Sequence, residues 1–471
     1  MVFSSTVFLF LFLPFVLVLN FILPPRLRNF FLLIVSLVFY AWGEGALVLV
    51  MIASTMINYF AGLGISGFAH RPKVSKAILA IGICINLLLL VYYKYLGFIV
   101  SNLPFEIPEL AFSKTMALPI GISFYTFHGL SYLVDIYRKG LPGQKNPFDL
   151  GLYIAFFPQL VAGPIVRYSD IESQIRARQE TSQMFFEGII RFIQGFAKKI
   201  LVANTAALIA DRAFQQSSDG ISISAAWIGA IAYMLQIYFD FSGYSDMAIG
   251  LAKMFGFTFK ENFNYPYTAI STQDFWRRWH ISLSTWFRDY LYIPLGGNQK
   301  GPFRTYLNLF IVFFVTGLWH GASWNFVVWG LFHGLFLILE RSEIIRTEKF
   351  PSVLKHVYVI LVVLVGWVLF RADNLSHAIQ YLGNMVGTGS RKNDVAFVML
   401  NNYSIFLLLA GVFFSMHVKF PKRLSSHRDG GLVQQSSFRL IGIVVIHMLL
   451  FMFAILELAQ ANYNPFIYFR F

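Results

Sequence analysis

Apolar residues run in long blocks along the chain, separated by short polar loops. Blocks lie at about 3–23, 29–42, 45–66, 78–101 and 119–137, then near 148–165, 185–208, 223–252, 305–320, 324–340, 354–371, 397–417 and 437–458. A helical bilayer crossing needs ~20 such residues, so the shorter blocks read as half-spans or interfacial segments. The pattern predicts an all-α, polytopic integral membrane protein with about ten to twelve crossings. One membrane domain over 1–471 is expected, without internal repeats. In FFPQLVAGPIVRY, residues 156–168, Pro158, Gly163 and Pro164 interrupt an apolar stretch and predict a broken or re-entrant segment lining a cavity. Residues 253–304 are the least lipid-like part and end in the turn IPLGGNQKG. They read as short amphipathic helices at, or dipping into, the cytoplasmic face. Residues 459–471 form a C-terminal tail beyond the last block.

Composition strengthens this picture. Of 471 residues 57% are hydrophobic and 13% charged, against roughly 25% charged in soluble domains. The net charge of +14 fits basic cytoplasmic loops, and no separate basic domain points to nucleic acid. The loops at 69–77, 138–145, 167–179 and 418–428 are basic, whereas 102–114 and 211–221 are acidic or neutral. The positive-inside rule places the first group in the cytoplasm, 253–304 with it, His320 toward the outer half and the C-terminus outside. No basic stretch precedes the first apolar run, and Arg26 and Arg28 follow it. That favours an uncleaved first span with Met1 outside over a signal peptide. A single cysteine, Cys84, excludes intrachain disulfides and any metal site built on several cysteines.

Chemistry enters with GLWHGASWNFVVWGLFHG, residues 317–334. His320 ends an apolar run among Trp319, Trp324 and Trp329, where a histidine is costly to bury and able to move a proton near neutral pH. Packing between helices and general-base catalysis stand about even for such a residue taken alone. Gly317, Gly321, Ser323 and Asn325 tilt it toward catalysis, since small residues allow close approach and polar ones orient a ring. His333 lies ~220° around a continuous helix from His320 and reads as structural. His280, in TQDFWRRWHISLSTWFRDYLYIPLGGN, is a second candidate. Arg277, Arg278 and Arg288 beside it have the chemistry to hold phosphates or a carboxylate, with anchoring at the membrane face as the stronger reading. Asp240 and Asp246, in QIYFDFSGYSDMAIG, call for a partner inside the protein, an arginine or a histidine, and serve structure or catalysis equally well. His128 and Asp135 read as buried, paired polar groups.

These motifs, with PIGISFYTFHGLSYLVDIYR, FFPQLVAGPIVR and the opening MVFSSTVFLFLFLPFVLVLNFILPPRLRNFFLL, resemble the bacterial membrane-bound O-acyltransferases, most closely the branch that O-acetylates alginate. The resemblance spans nearly the whole chain. It implies helices around a tunnel or funnel, His320 as the active-site histidine and His280 as the second. It implies a cytoplasmic thioester donor, foremost acetyl-CoA as a substrate, with no bound cofactor and no metal. The acceptor would be a hydroxyl of an exopolysaccharide or cell-wall polymer such as alginate, reached with a periplasmic or extracellular acyltransferase partner. The location would be the bacterial cytoplasmic (inner) membrane. The closing residues PFIYFRF resemble the C-terminal tail of the small partner in D-alanyl transfer systems, where a tyrosine is proposed to carry the acyl group. That makes Tyr468 a candidate acyl relay, beside its plainer reading as an interfacial anchor. A transporter or flippase, or a structural subunit of a polysaccharide export complex, is the alternative, and the missing inverted repeats count against transport.

Overall fold

The computed structural model describes residues 1–105, 107, 116–217, 220–388, 400–416 and 437–460. Among them every regular element is a helix, the economical solution where lipid offers the backbone no hydrogen-bond partner. In chain order these are α1 (Leu13–Ile22), α2 (Pro25–Glu44), α3 (Val48–Gly67), α4 (Pro72–Leu90), α5 (Leu96–Ser101), α6 (Ile122–Lys139), α7 (Pro147–Ala155), α8 (Phe157–Leu160), α9 (Tyr168–Arg176) and α10 (Ser182–Ala197). There follow α11 (Asn204–Gln216), α12 (Ile223–Met254), α13 (Thr272–Arg278), α14 (Ile281–Phe287), α15 (Gly301–His320), α16 (Trp324–Arg341), α17 (Ser352–Arg371), α18 (Leu375–Val386), α19 (Asn402–Ser415) and α20 (Ser437–Gln460). π-helical turns occur at Phe8–Phe12, Val91–Tyr95, Lys198–Ala203 and Arg288–Tyr292.

The protein is a multi-pass membrane protein. Among the described residues seven stretches are long and apolar enough to cross a bilayer: Pro25–Gly67, Pro72–Ser101, Ser182–Gln216, Ile223–Met254, Gly301–His320, Ser352–Arg371 and Phe438–Gln460. The sequence pattern expects ten to twelve crossings. Part of the difference lies in α6 and α16, both 18 residues long and diluted by His128 and Asp135 in one and by Asn325, His333 and Glu340 in the other. The spans also differ in surroundings. The most apolar window of α12 is 72% buried, whereas that of Phe438–Gln460 is 6% buried.

The chain forms two compact units, Met1–Phe192 with Met247–Lys260, and Ile193–Asp246 with Glu261–Phe471. In the first, small residues let α3, α4 and α6 pack closely. A Cβ on Gly62 would meet the Tyr132 ring at 2.4 Å, and one on Gly82 would meet Leu133 at 2.7 Å. Asn58 and Asn86 exchange two hydrogen bonds of 3.0 Å between α3 and α4. Asp135 pairs with Lys139 at 3.0 Å and accepts from the Ser169 N–H, and His128 is buried against Tyr153. Residues 156–168 break as the prolines and glycine predict. The single turn of α8 gives way to an irregular chain, folded so tightly that a Cβ on Gly163 would lie 2.5 Å from the Gln159 Cα.

In the second unit α15 and α16 are joined through Gly321–Ser323 and meet backbone to backbone. A Cβ on Gly330 would come within 2.3 Å of the Phe313 carbonyl oxygen and 3.0 Å of the Gly317 Cα, and one on Gly317 would lie 2.4 Å from the Phe326 carbonyl oxygen. Within 253–304, α13 and α14 are seven residues each, followed by a π turn and a run of turns to 300. Gly330→Ala is therefore an overpacking change, expected to cost about 1–3 kcal/mol. Gly442→Ala, where nothing lies within 4 Å, is its neutral control. Thermal unfolding in detergent tests the pair, and equal melting of the two variants would remove the glycine contact as a stabilising feature.

Candidate active site

His320 is the last residue of α15, and the extended Gly321 that follows ends the helix at that point. The imidazole is 7% exposed and is packed edge-on by three rings, Trp319 at 4.9 Å, Trp329 at 4.9 Å and Phe370 at 5.2 Å. Gly321 is required here because Phe326 lies across it, 2.2 Å from where a Cβ would be. Trp324 starts α16 and is 55% exposed. Asn325 does not orient the ring. Its amide donates to the Ala372 carbonyl at 2.9 Å, tying the start of α16 to the end of α17, two residues beyond Phe370. That end is held further by Arg371, which pairs with Asp211 and lies over the rings of Phe214 and Tyr233 at 5.1 and 5.9 Å.

His280 belongs to the same aromatic cluster, its ring 6.0 Å from Trp319 and 4.6 Å from Phe241. One indole thus touches both histidines. The residue caps α14 with φ 44°, a left-handed backbone that is uncommon outside glycine and marks a site held by its surroundings. Asn262 fixes the imidazole. Its Oδ1 already accepts from the Ser282 N–H at 3.1 Å and the Ser282 hydroxyl at 2.8 Å, and its Nδ2 donates to Ser245 at 3.0 Å. An oxygen so used is an acceptor, so His280 Nδ1, 3.2 Å away, carries the proton. Nε2 is then a bare acceptor, buried without a partner. Burial pushes this imidazole down to about 3, which keeps it neutral near pH 7.

The carboxylates support the site from α12. Asp240 pairs with Lys199 at 2.7 Å, both almost wholly buried, and Asp246 pairs with Lys198 at 2.6 Å. The partners are lysines, not the arginine or histidine expected, and both come from the π turn at Lys198–Ala203. Between the pairs Gly243 touches the Gly195 carbonyl, 2.7 Å from a would-be Cβ. Charges paired at such depth brace α12, which presents Phe241 and Ser245 to the His280 network. The arginines do not converge on the histidines. Arg278 pairs with Asp274 at 2.9 Å, Arg288 with Asp289 at 2.6 Å, and Arg277 is exposed. Tyr468 and its tail lie outside the described residues. Asn262, Phe370 and the two lysines escaped the sequence reading, since nothing in their local patterns links them to a histidine.

In chemical terms this is a water-poor aromatic enclosure with one neutral imidazole acceptor and a second histidine at a helix end. Such a pair suits proton removal from a hydroxyl beside an activated carbonyl.

The model of MBOAT, the membrane-bound O-acyltransferase family, matches residues 138–378, which contain both histidines, Asn262, and the paired lysines and carboxylates. The chain is 41% identical to the "Probable alginate O-acetylase AlgI" of Pseudomonas putida and 42% identical to that of Azotobacter vinelandii, each over the full length of both chains. It is 35% identical to the peptidoglycan O-acetyltransferase of Helicobacter pylori, over 82% of this chain and 80% of that one.

The neutral His280 makes a prediction of defined sign. A free imidazole titrates near ~6.5 and the buried one at about 3. Between those values the unfolded chain holds a proton that the folded chain lacks, so stability falls as the pH drops below ~6.5. His280→Asn keeps a donor and tolerates the left-handed backbone, yet does not titrate. Acidification from about pH 7.5 to about 5 should lower the melting temperature of the wild type more than that of the variant. Equal acid sensitivity would show that His280 is not held neutral.

Proposed function

The chain belongs to the membrane-bound O-acyltransferase family and is an O-acyltransferase; within that family we propose that it is a membrane O-acetyltransferase acting on a polysaccharide or cell-wall polymer. The observation that carries this reading is the enclosure in which Trp319 touches both His320 and His280. The transporter and export-subunit readings fall away with membership of an enzyme family.

In the proposed mechanism acetyl-CoA approaches from the cytoplasm through the segment around 261–304, in the bacterial cytoplasmic membrane. His320 takes the proton from the attacking hydroxyl as its oxygen forms the new bond to the thioester carbonyl. The C–S bond then breaks, and the thiolate that leaves acquires a proton. The bare Nε2 of His280 accepts a hydrogen bond from an amide N–H of the pantetheine arm and so positions the carbonyl. The O-acetylase and O-acetyltransferase relatives support the acetyl group and the polymer acceptor, and alginate is the leading candidate polymer. A periplasmic or extracellular partner completes the transfer. Tyr468 serves as the relay hydroxyl. It lies eight residues beyond the end of α20, and an extended tail of that length reaches roughly 28 Å.

Two measurements test the proposal. His320→Ala, matched to the wild type for membrane expression, should lose at least about 10² in activity, read as ester-linked acetate on the envelope polymer. Unchanged acetylation in a strain that depends on this protein would sink the assignment. Tyr468→Phe should lose acetylation to a similar degree. Full activity in that variant would leave the tail an anchor.

A further inference from the structure

His333 is a buried titratable group that the mechanism above leaves unused. It is 1% exposed, and neither imidazole nitrogen meets a hydrogen-bond partner. Its walls are rings: Trp276 at 5.1 Å, Trp329 at 5.2 Å, Phe332 at 5.5 Å and Phe275 at 6.5 Å. On α17, Gly366 makes room for it, since a Cβ there would lie 2.4 Å from His333 Nε2. An imidazole placed so carefully and left unsatisfied is expensive. A buried polar group without a partner costs about 1–3 kcal/mol, and native proteins rarely leave one so. Two further orphans stand beside it, the indole N–H groups of Trp276 and Trp329, whose rings touch each other at 5.8 Å as well as the imidazole. Two donors, plus an imidazole that both donates and accepts, match the two to four partners a buried water needs.

The position gives the cluster a use. Trp329 touches both His320, at 4.9 Å, and His333, at 5.2 Å, so the two imidazoles lie within about 10 Å. Trp276 and Phe275 come from α13, in the segment assigned above to the donor. Base-catalysed acyl transfer moves a proton from the attacking hydroxyl to the leaving thiolate, and His333 contacts both Trp329, which borders His320, and Trp276 of the donor segment.

We propose that His333, with water held by the indoles of Trp276 and Trp329, relays to the leaving thiolate the proton that His320 removes. The proposal rests on the acyl-transfer reading. The acceptor O–H breaks and its proton goes to His320. The C–O bond forms, the C–S bond breaks, and its electron pair goes to sulfur. The proton then passes from His320 through water to the bare nitrogen of His333, whose opposite N–H proton passes through water to the thiolate. The imidazole regains its resting tautomer by exchange through the same water, and no other reactant is consumed. His333 is thus a positioning residue for proton transfer, acting through His320.

The test uses everted membrane vesicles carrying the full chain, with acetyl-CoA supplied outside and thiol release and polymer ester both recorded. His333→Gln keeps a donor and an acceptor but cannot pass a proton through. It should leave the donor KM unchanged, lower kcat at least about tenfold and raise the solvent deuterium isotope effect on kcat. Trp276→Phe keeps the ring and removes one indole N–H, so a smaller kcat loss with the same isotope signature is expected, and this variant decides if the first fails to fold. Wild-type kcat and isotope effect in these variants, or losses that follow only the amount of folded protein, return His333 to packing. No thiol release by the wild type, or equal release by His320→Ala, removes the acyl-transfer reading and this proposal together. Activity lost in His320→Ala but intact in His333→Gln overturns the relay alone.

Discussion

The contact between Gly317 and Gly330 is the constraint on which the site depends. Only at glycine can two helices meet with the backbone of one against that of the other. Their closeness sets Trp319 and Trp329 each 4.9 Å from the His320 ring and brings Phe326 across Gly321. Side chains at these glycines would separate the helices and open the enclosure to lipid or water. The polar residue at the end of α15 is tolerated because the apolar wall around it is continuous.

Around that wall the protein satisfies polarity unevenly, and the unevenness is informative. Several buried groups meet a partner: the asparagines of α3 and α4, the lysines and carboxylates beside α12, and Arg371 with Asp211. At His280 one ring nitrogen, and at His333 both, meet no hydrogen-bond partner, as at His128 in the other unit. His280 has one side pinned through Asn262 and the other bare. Pairing serves rigidity, and an open nitrogen inside a rigid frame is what proton chemistry requires.

Much of this was legible in the sequence. The apolar blocks mark the helices, Pro158, Gly163 and Pro164 mark the break after α7, and the polar density after α12 marks the short helices α13 and α14. His320 stood out because apolar spans seldom carry a histidine, and His280 because it sits among arginines in the least lipid-like part of the chain. What stayed hidden depended on geometry that spacing does not encode. The ~220° separation of His320 and His333 holds only along one continuous helix, and the chain breaks at Gly321–Ser323, so both rings reach the same indole. Trp324 and Trp329 look equivalent in the motif, yet one is exposed and one is caged. The lysine partners of Asp240 and Asp246 stayed hidden because they lie some forty residues upstream, on a π turn that no local pattern marks.

That π turn has a consequence of its own. A π turn is a helical turn holding one residue more than an α-helix needs. Deleting any single residue from 198–203 would let the segment relax into an unbroken helix, still apolar and still long enough to span. Because the residue removed is the one the turn holds in excess, the helix on either side would keep its phase, and the loss would fall on the widened turn that carries Lys198 and Lys199 to Asp246 and Asp240. This part of the chain is therefore governed by counting more than by chemistry. Conservative exchanges keep the widened turn, whereas a one-codon deletion preserves hydrophobicity and phase and removes the turn that holds the two lysines.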